Sequence, residues 1–341
     1  MDRRITMQDV AAAAGVSPAT ASRALAGNSR VAPDLVRRVS EASIRLGYSA
    51  NAMARALRTQ RTDTIGVVVP AINNPYFPSA VEALEGVLSE SGRSLILCDS
   101  HQDPAREASR IDLLINRMVD GLVVIPVSTS ESAAALTCAA LRVPVVQLDR
   151  YADAPGTDYV GSDNTAGILL LMNHLRYMGC TTFAYVGAHP TTSTAGERQA
   201  EFRALTAELQ PGAPAHWELL GDFSMEWGRA AGRQLLSGGP LPDGIICGAD
   251  VVAIGLLSAL RDSGVRVPAD VRVGSFDNIS LSEISSPRLT SVRHPMDELA
   301  QETVRLLDER ALDRSRPGRK SIFTPELLVR ESSAGSTPPP H

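Results

Sequence analysis

Cysteine, lysine and long apolar runs are scarce in this 341-residue chain, and each shortage removes a class of protein. Cys98, Cys138, Cys180 and Cys247 lie forty or more residues apart, so none forms a C-x-x-C redox or zinc half-site. They are expected to be reduced and mostly buried as small hydrophobes. His101, His174, His189, His216 and His294 are scattered with no metal-ligand spacing, so no metal site is expected and no chemistry is assigned to them. No stretch approaches the ~18–20 apolar residues of a membrane span. Residues 1–10 mix charge and apolarity without an apolar core, so no secretory signal is expected. No G-x-G-x-x-G follows the first strand pattern, and neither G-x-x-x-x-G-K-[ST] nor G-x-S-x-G occurs. Without those sites a fold alone gives no warrant for catalysis, and no catalytic residue or cofactor is assigned.

The length suggests two to three domains at roughly 100–200 residues each. The net charge of −5 conceals a division. Residues 1–60 hold nine arginines and four acids, or +5, which leaves −10 on the remainder. Lys320 is the only lysine, so arginine partly reflects coding bias and its count is discounted. A basic segment on an acidic body still points to a polyanion-binding arm.

That arm reads as three helices. Thr6 caps a first helix with Asp9 in its opening turn. Met7, Val10, Ala11 and Ala14 share one face, and Gly15 ends the helix. Ser17 caps a second helix with Pro18 in its first position. A third runs from Pro33 through Leu35, Val39, Ala42 and Leu46 to Gly47. Two short helices joined by a Gly-containing turn form a helix-turn-helix, or else an ordinary helical hairpin. In the first case Ala19, Thr20, Ser22 and Arg23 face a DNA groove. Arg23 can make a bidentate contact to guanine, while Thr6, Ser17 and helix-end amides hold phosphates. Asn28 and Arg55 complete this DNA-binding set.

The string D-V-A-x-x-A-G-V-S-x-x-T-x-S-R-x-L, followed by L-G-Y-S and N-A-M-A-R-A-L, resembles the head and hinge of the lactose-repressor (LacI) family of bacterial transcription regulators. The resemblance implies that residues 51–58 form a hinge helix only on operator DNA. Two such helices enter the minor groove, and Leu57 takes the place of the leucine that wedges a base step. Three positions depart from the family pattern: Ala50 stands for a proline, Ala21 for a valine, and Pro18-Ala19 offers no large base-reading side chain.

Beyond a polar linker, short apolar runs alternate with helix-length segments. The runs are 65–69, 95–98, 122–125, 145–148, 183–186, 245–247 and 271–274, a pattern of parallel sheets covered on both faces. About 270 residues of this imply two α/β lobes. Ligands of such sheets bind outside the carboxyl ends of the strands. That rule selects Tyr76 and Phe77, Asp149 and Arg150, Asp250, and Asp277, a set suited to a polyhydroxylated ligand. By resemblance Asp149, Arg198, Phe223 and Asp277 match the family's effector contacts. Asp250 occupies its N-D site, with Ala249 replacing the polar partner. Alternatives stand beside these readings. Tyr76 and Phe77 could be lobe-interface core, Arg198 a surface ion-pair partner, and Asp163 the cap of a helix starting near Asn164. The segments 280–286 and 332–341 read as loop and disorder.

The expected fold is an all-α helix-turn-helix head plus an α/β body like the type I periplasmic binding proteins, which the resemblance implies, with two parallel-sheet lobes. The expected divisions are 1–50 head, 51–63 hinge helix and linker, 64–160 with 291–321 first lobe, 161–290 with 322–332 second lobe, and 333–341 disordered tail. The expected function is a cytoplasmic, nucleoid-associated repressor. Its partners are double-stranded operator DNA, a sugar-like effector between the lobes, and a second copy in a homodimer or higher oligomer, with no membrane. Other readings are a corepressor-dependent regulator binding a nucleobase or nucleoside, an α/β enzyme, or a solute-binding protein. The last would need an export signal and no basic head.

Overall fold

The computed structural model describes residues 5–25, 30–48 and 61–334, and divides into two compact units at Thr62/Asp63. Asn28, Arg55, Leu57 and the hinge at 51–58 lie outside the described residues.

The first unit holds α1 (Met7–Ala14), α2 (Pro18–Leu25) and α3 (Pro33–Leu46). The Thr6–Asp9 capping box closes the start of α1. The Thr6 amide donates to Asp9 Oδ2 at 2.8 Å, and the Asp9 amide to Thr6 Oγ1 at 3.4 Å. Gly15, at φ 66°, ends the helix in the left-handed region, and the Val16 amide turns back to Ala11 O. Arg38 of α3 donates to Ala14 O at 2.6 Å, supplying an otherwise unpaired helix-end carbonyl with a cation. The core is small: Val10, Ala11, Ala14, Ala21, Ala24, Val39 and Ala42. Alanines let the three helices approach closely, and they limit how much burial can stabilise the unit.

The second unit is two α/β lobes. The first lobe's sheet runs β11–β5–β4–β3–β1–β2, all parallel, from β1 (Thr64–Val69), β2 (Ser94–Asp99), β3 (Gly121–Val124), β4 (Val145–Leu148), β5 (Asp158–Ser162) and β11 (Lys320–Phe323). The second lobe repeats this order as β12–β10–β9–β8–β6–β7, from β6 (Phe183–Ala188), β7 (Glu218–Gly221), β8 (Gly244–Cys247), β9 (Arg272–Phe276), β10 (Thr290–Arg293) and β12 (Glu326–Leu328). One pairing in it is antiparallel, β10 with β12. All seven apolar runs fall on strands, with Ile125 and Val271 one residue outside β3 and β9, and the central ones are buried on both faces, as helix-covered sheets require. The helices in chain order are α4 (Tyr76–Glu90), α5 (Pro104–Asn116), α6 (Ala133–Ala140), α7 (Asn164–Tyr177), α8 (Ser193–Leu209), α9 (Met225–Ser237), α10 (Asp250–Asp262), α11 (Ser280–Ile284), α12 (Met296–Leu312) and α13 (Glu331–Ala334).

The chain crosses between lobes three times, each crossing two or three residues later than expected. Gly161 and Ser162 still pair with β11, Ser291–Arg293 pair with β12 in the second sheet, and Ile322–Phe323 remain in the first. At the first two crossings glycine, serine and arginine continue the strand, so apolarity fades before hydrogen bonding ends. Two segments read as loop or tail are also ordered. Residues 280–284 form α11, and Glu331–Ala334 form α13. Ser332 Oγ accepts from the Thr290 amide at 2.8 Å and donates to Val273 O at 2.6 Å, so its small hydroxyl satisfies buried strand backbone. Cys180 and Cys247 are buried, but Cys98 is half-buried and Cys138 exposed; all four are free thiols. Among the described residues no helix is long and apolar enough to cross a membrane, and no group of three or more potential metal ligands gathers.

At the amino end of β5 the fully buried Asp158 receives both Arg310 and Arg316, with Nη2 contacts of 2.7 and 2.8 Å, and the Arg319 amide at 2.8 Å. Burial pushes its carboxyl up, but these donors outweigh that and leave it below the usual carboxylate value. The knot ties β5 to α12 and to the return strand β11.

Candidate functional site

In the first unit α2 buries Ala21 and Ala24 and turns Ala19 and Arg23 outward, with Thr20 and Ser22 half-buried. Ser17 accepts from the Thr20 amide at 3.1 Å, so it caps α2 as expected. Arg23 Nε donates to Ala19 O at 3.2 Å on its own helix, which aligns the guanidinium along an exposed face. Thr6 and Ser17 are exposed at the starts of their helices, where backbone N–H groups favour phosphate oxygens.

In the second unit the strand-end residues converge between the lobes. Tyr76, at the start of α4, donates its hydroxyl to Asp149 Oδ1 at 2.7 Å. Asp149 follows β4 at φ 63°, and its carbonyl accepts from Tyr159 at 3.1 Å. From the second lobe, Arg198 of α8 donates to Asn164 Oδ1 at 2.8 Å and Gly248 O at 2.6 Å, and its guanidinium lies 4.1 Å from the Phe276 ring centroid. Asp277, after β9 at φ 103°, sits 3.7 Å from Arg198 and 3.6 Å from His294. The rings of Tyr76 and His294 meet edge-on at 5.5 Å across the lobes. Burial, then the carboxylates of Asp149 and Asp277, push the Tyr76 phenol well above its usual value, so it stays a donor.

Arg150 follows Asp149 into the same cleft, 5.3 Å from the Phe77 ring of the first lobe and 5.2 Å from the Phe223 ring of the second. Burial pulls its guanidinium below the usual value, and the neighbouring Asp149 carboxylate opposes that. A cavity of about 220 Å³ opens here, lined by Asn73, Asn74, Gln102, Arg150 and Phe223. A second, of about 520 Å³, lies toward the crossovers beside Tyr76, Asp277 and His294. The lobes meet at the mouth of the cleft, where Tyr151 donates to Glu197 at 2.8 Å and the Thr129 amide to Thr191 O at 2.9 Å.

This geometry removes one alternative and changes two expectations. Arg198 is buried, not a surface ion-pair residue. His294, given no chemistry from sequence, stands in the cleft against Arg198 and Asp277. Asp250 is spent inside its own lobe instead of facing a ligand. It accepts from Ser275, Ser291 (2.8 Å) and Ser282 (2.5 Å) and from the Ile279 amide (2.9 Å), which fills the four acceptor positions of a carboxylate. Burial and the nearby Asp277 charge, opposed by the serine donors, push its carboxyl up to about 7. Asp163 is the cap of α7, as read, accepting from the Ala166 amide at 2.8 Å. Tyr76 and Phe77 are buried at the lobe interface, as one of the two readings had it, and there they contact Asp149 and Arg150. Asn164 is a cleft residue the sequence did not single out; it orients Arg198 and donates to Glu197 at 2.7 Å.

Comparison with known proteins agrees with both units. A family model described as bacterial regulatory proteins, lacI family, matches residues 6–51, and one described as a periplasmic binding protein-like domain matches residues 172–333. The HTH-type transcriptional repressor PurR of Mannheimia succiniciproducens is 31% identical over 96% of this chain and 98% of its own. The ribose operon repressor of Halalkalibacterium halodurans is 31% identical over 97% of each. A crystal structure of the Lac repressor bound to ONPG in the repressed state superposes with a TM-score of 0.86 at 25% identity, covering 97% of this chain and all of that one. With a capped helix-turn-helix in front and a two-lobed body behind, the chain belongs to the LacI family of bacterial regulatory proteins, as a DNA-binding transcriptional regulator.

Proposed function

We propose that this protein is a cytoplasmic, nucleoid-associated homodimeric repressor whose operator affinity is set by a small sugar-like ligand held between the lobes. The observation that carries this reading is the buried polar bundle drawn from both lobes, in which Tyr76 and Asp149 face Arg198, Asp277 and His294. Acceptors and donors in alternation, beside aromatic rings, suit a polyhydroxylated ring. Dimerisation follows from the head, since helix-turn-helix proteins read paired half-sites about one helical turn apart. Ligand bound between the lobes alters operator affinity, and operator alters ligand affinity by the same factor, ordinarily worth ~1–3 kcal/mol. No catalysis is proposed: in the cleft Asp149 is engaged by Tyr76 and Asp277 lies beside Arg198, with no activated nucleophile among the described residues. The proposed DNA contacts are Thr6, Ser17, Ala19, Thr20, Ser22 and Arg23. A planar nucleobase is the second reading, favoured by the rings of Phe77 and Phe223.

The test is fluorescence anisotropy with an operator fragment obtained by in vitro selection, titrated with and without a panel of sugars and purines. Asp277→Ala should bind the operator like wild type and lose the ligand response. A ligand response that survives Asp277→Ala would remove this cleft as the effector site.

A further inference from the structure

Of the 33 lysines and arginines in the chain Lys320 is the only lysine. It opens β11, the edge strand of the first sheet, and is exposed there. Among the described residues no hydrogen bond or ion pair reaches its ammonium, which lies 4.4 Å from the ring centroid of Tyr151. Nearby arginines are engaged, Arg316 with Asp158 and Arg319 with Glu309.

Tyr151, which follows β4, is the residue through which the first lobe reaches α8 of the second. Its hydroxyl donates to Glu197 Oε1 at 2.8 Å and its amide to Ser193 Oγ at 3.0 Å. Burial, then the hydrogen bond and charge of Glu197, push the phenol up to about 12, so it stays a donor. Glu197 Oε2 accepts from Asn164 at 2.7 Å, and Asn164 Oδ1 accepts from Arg198 at 2.8 Å. A chain of polar contacts therefore runs from an exposed ammonium on the edge of the first lobe, across the joint between the lobes, to a buried arginine of the second. A cation over the ring face holds the ring in place, and so holds the hydroxyl that bridges the lobes.

We propose that Lys320 is an acylation site, and that acyl transfer to its side chain loosens the closure of the lobes at Tyr151. Guanidinium groups stay charged at any ordinary pH, so a chain with arginine at every other basic position offers an acyl donor one side-chain amine. The donor is an acyl phosphate or an acyl thioester. The unprotonated fraction of Nζ attacks the acyl carbonyl carbon; a C–N bond forms, the C–O or C–S bond breaks, phosphate or thiolate leaves with the bonding pair, and the nitrogen gives up one proton to solvent. The product is a neutral amide, and the Tyr151 ring loses its cation.

The experiment treats the full-length protein with acetyl phosphate and locates the acetyl group by peptide mass spectrometry, beside a synthetic peptide of residues 315–325. Lys320 should be acetylated in the folded protein at a rate comparable to the peptide's, because it is exposed. Amide hydrogen exchange is then measured for untreated and acetylated wild type, Lys320→Gln, Lys320→Arg, Tyr151→Leu and the Tyr151→Leu, Lys320→Gln double variant. The Tyr151 amide, bonded to Ser193, and the Thr129 amide, bonded to Thr191 O at 2.9 Å, report opening of the lobes directly. Acetylation and Lys320→Gln should each speed both amides about 2- to 5-fold, the worth of an exposed cation–π contact, whereas Lys320→Arg keeps the cation and should match wild type. In the Tyr151→Leu background Lys320→Gln should leave the Thr129 amide unchanged, since the ring that carries its effect is gone. A Lys320 that stays unmodified while the peptide reacts, exchange at Tyr151 and Thr129 that acetylation does not alter, or an equal effect of Lys320→Gln with and without the Tyr151 ring would each overturn the proposal. These measurements need neither ligand nor operator, so their failure leaves the effector reading of the cleft untouched.

Discussion

Asp250→Asn isolates one buried carboxyl whose energetics can be worked from its surroundings. Asp250 is fully buried, and its carboxyl is pushed up to about 7, first by burial and next by the charge of Asp277. The unfolded chain titrates this group near ~3.9. A folded-state value above the unfolded one means that its contribution to stability is complete below pH ~4 and is lost as pH rises toward 7. Each unit in that window removes up to about 1.4 kcal/mol per proton, less as the folded group itself begins to ionise, so between pH 5 and pH 7 the single group costs about 2 kcal/mol. For a body of this size that is roughly 5–10 °C in unfolding temperature. Cys247, the neighbouring buried thiol, is pushed up by burial and stays silent in this range. The carboxamide of Asp250→Asn can still accept from the Ile279 amide and Ser282 and can donate to Ser275 and Ser291, whose hydroxyls reverse their roles. Thermal unfolding of wild type and Asp250→Asn from pH 5 to 7.5 should therefore give a shallower profile for the variant, with the curves converging or crossing near neutrality. Parallel profiles would refute the assignment of a raised carboxyl to this position. Asp250→Ala, which strands the Ile279 amide, should also speed hydrogen exchange in residues 277–282 while leaving the first lobe unchanged.

Other outcomes follow from separate parts of the molecule. Arg23→Ala should weaken specific operator binding by about 1–3 kcal/mol in anisotropy titrations and leave ligand-induced stabilisation intact. Equal operator affinity would remove α2 as the reading helix. Asp158→Asn leaves Arg310 and Arg316 facing a neutral amide in the core, and should lower stability in denaturant titration by about 3–5 kcal/mol. Gly15→Ala places a methyl at φ 66° and 3.0 Å from the Arg38 guanidinium that caps α1. It should destabilise the helical head by about 1–2 kcal/mol, seen as faster hydrogen exchange in residues 7–25 only.

Legibility followed distance along the chain. Thr6 with Asp9, Gly15 and Ser17 with Pro18 act within one helical turn, so their spacing alone specifies the caps that the structure shows. The strands of the two sheet centres were readable because burial on both faces makes a run continuously apolar. The short edge strands Glu218–Gly221 and Glu326–Leu328 leave no such trace. His294 was missed because its partner Arg198 is 96 residues away, and Tyr76 meets Asp149 across 73. Asp250 was placed at the right strand end and given the wrong neighbours. Its three serines lie 25, 32 and 41 residues along the chain, and Ser282 falls in a segment whose composition suggests a loop, although the hydroxyls serve as donors to a buried charge.

The three crossings of the chain between the lobes bear on inheritance. The second sheet cannot be completed without residues 326–328, nor the first without residues 320–323, so neither lobe corresponds to one continuous stretch of coding sequence. Recombination that exchanged a single lobe would need matched junctions at three places at once. The helical unit before Asp63 is continuous and has its own core. A gene built this way can acquire a new operator in one cut, whereas a new effector must come by point substitution within the cleft or with the whole body.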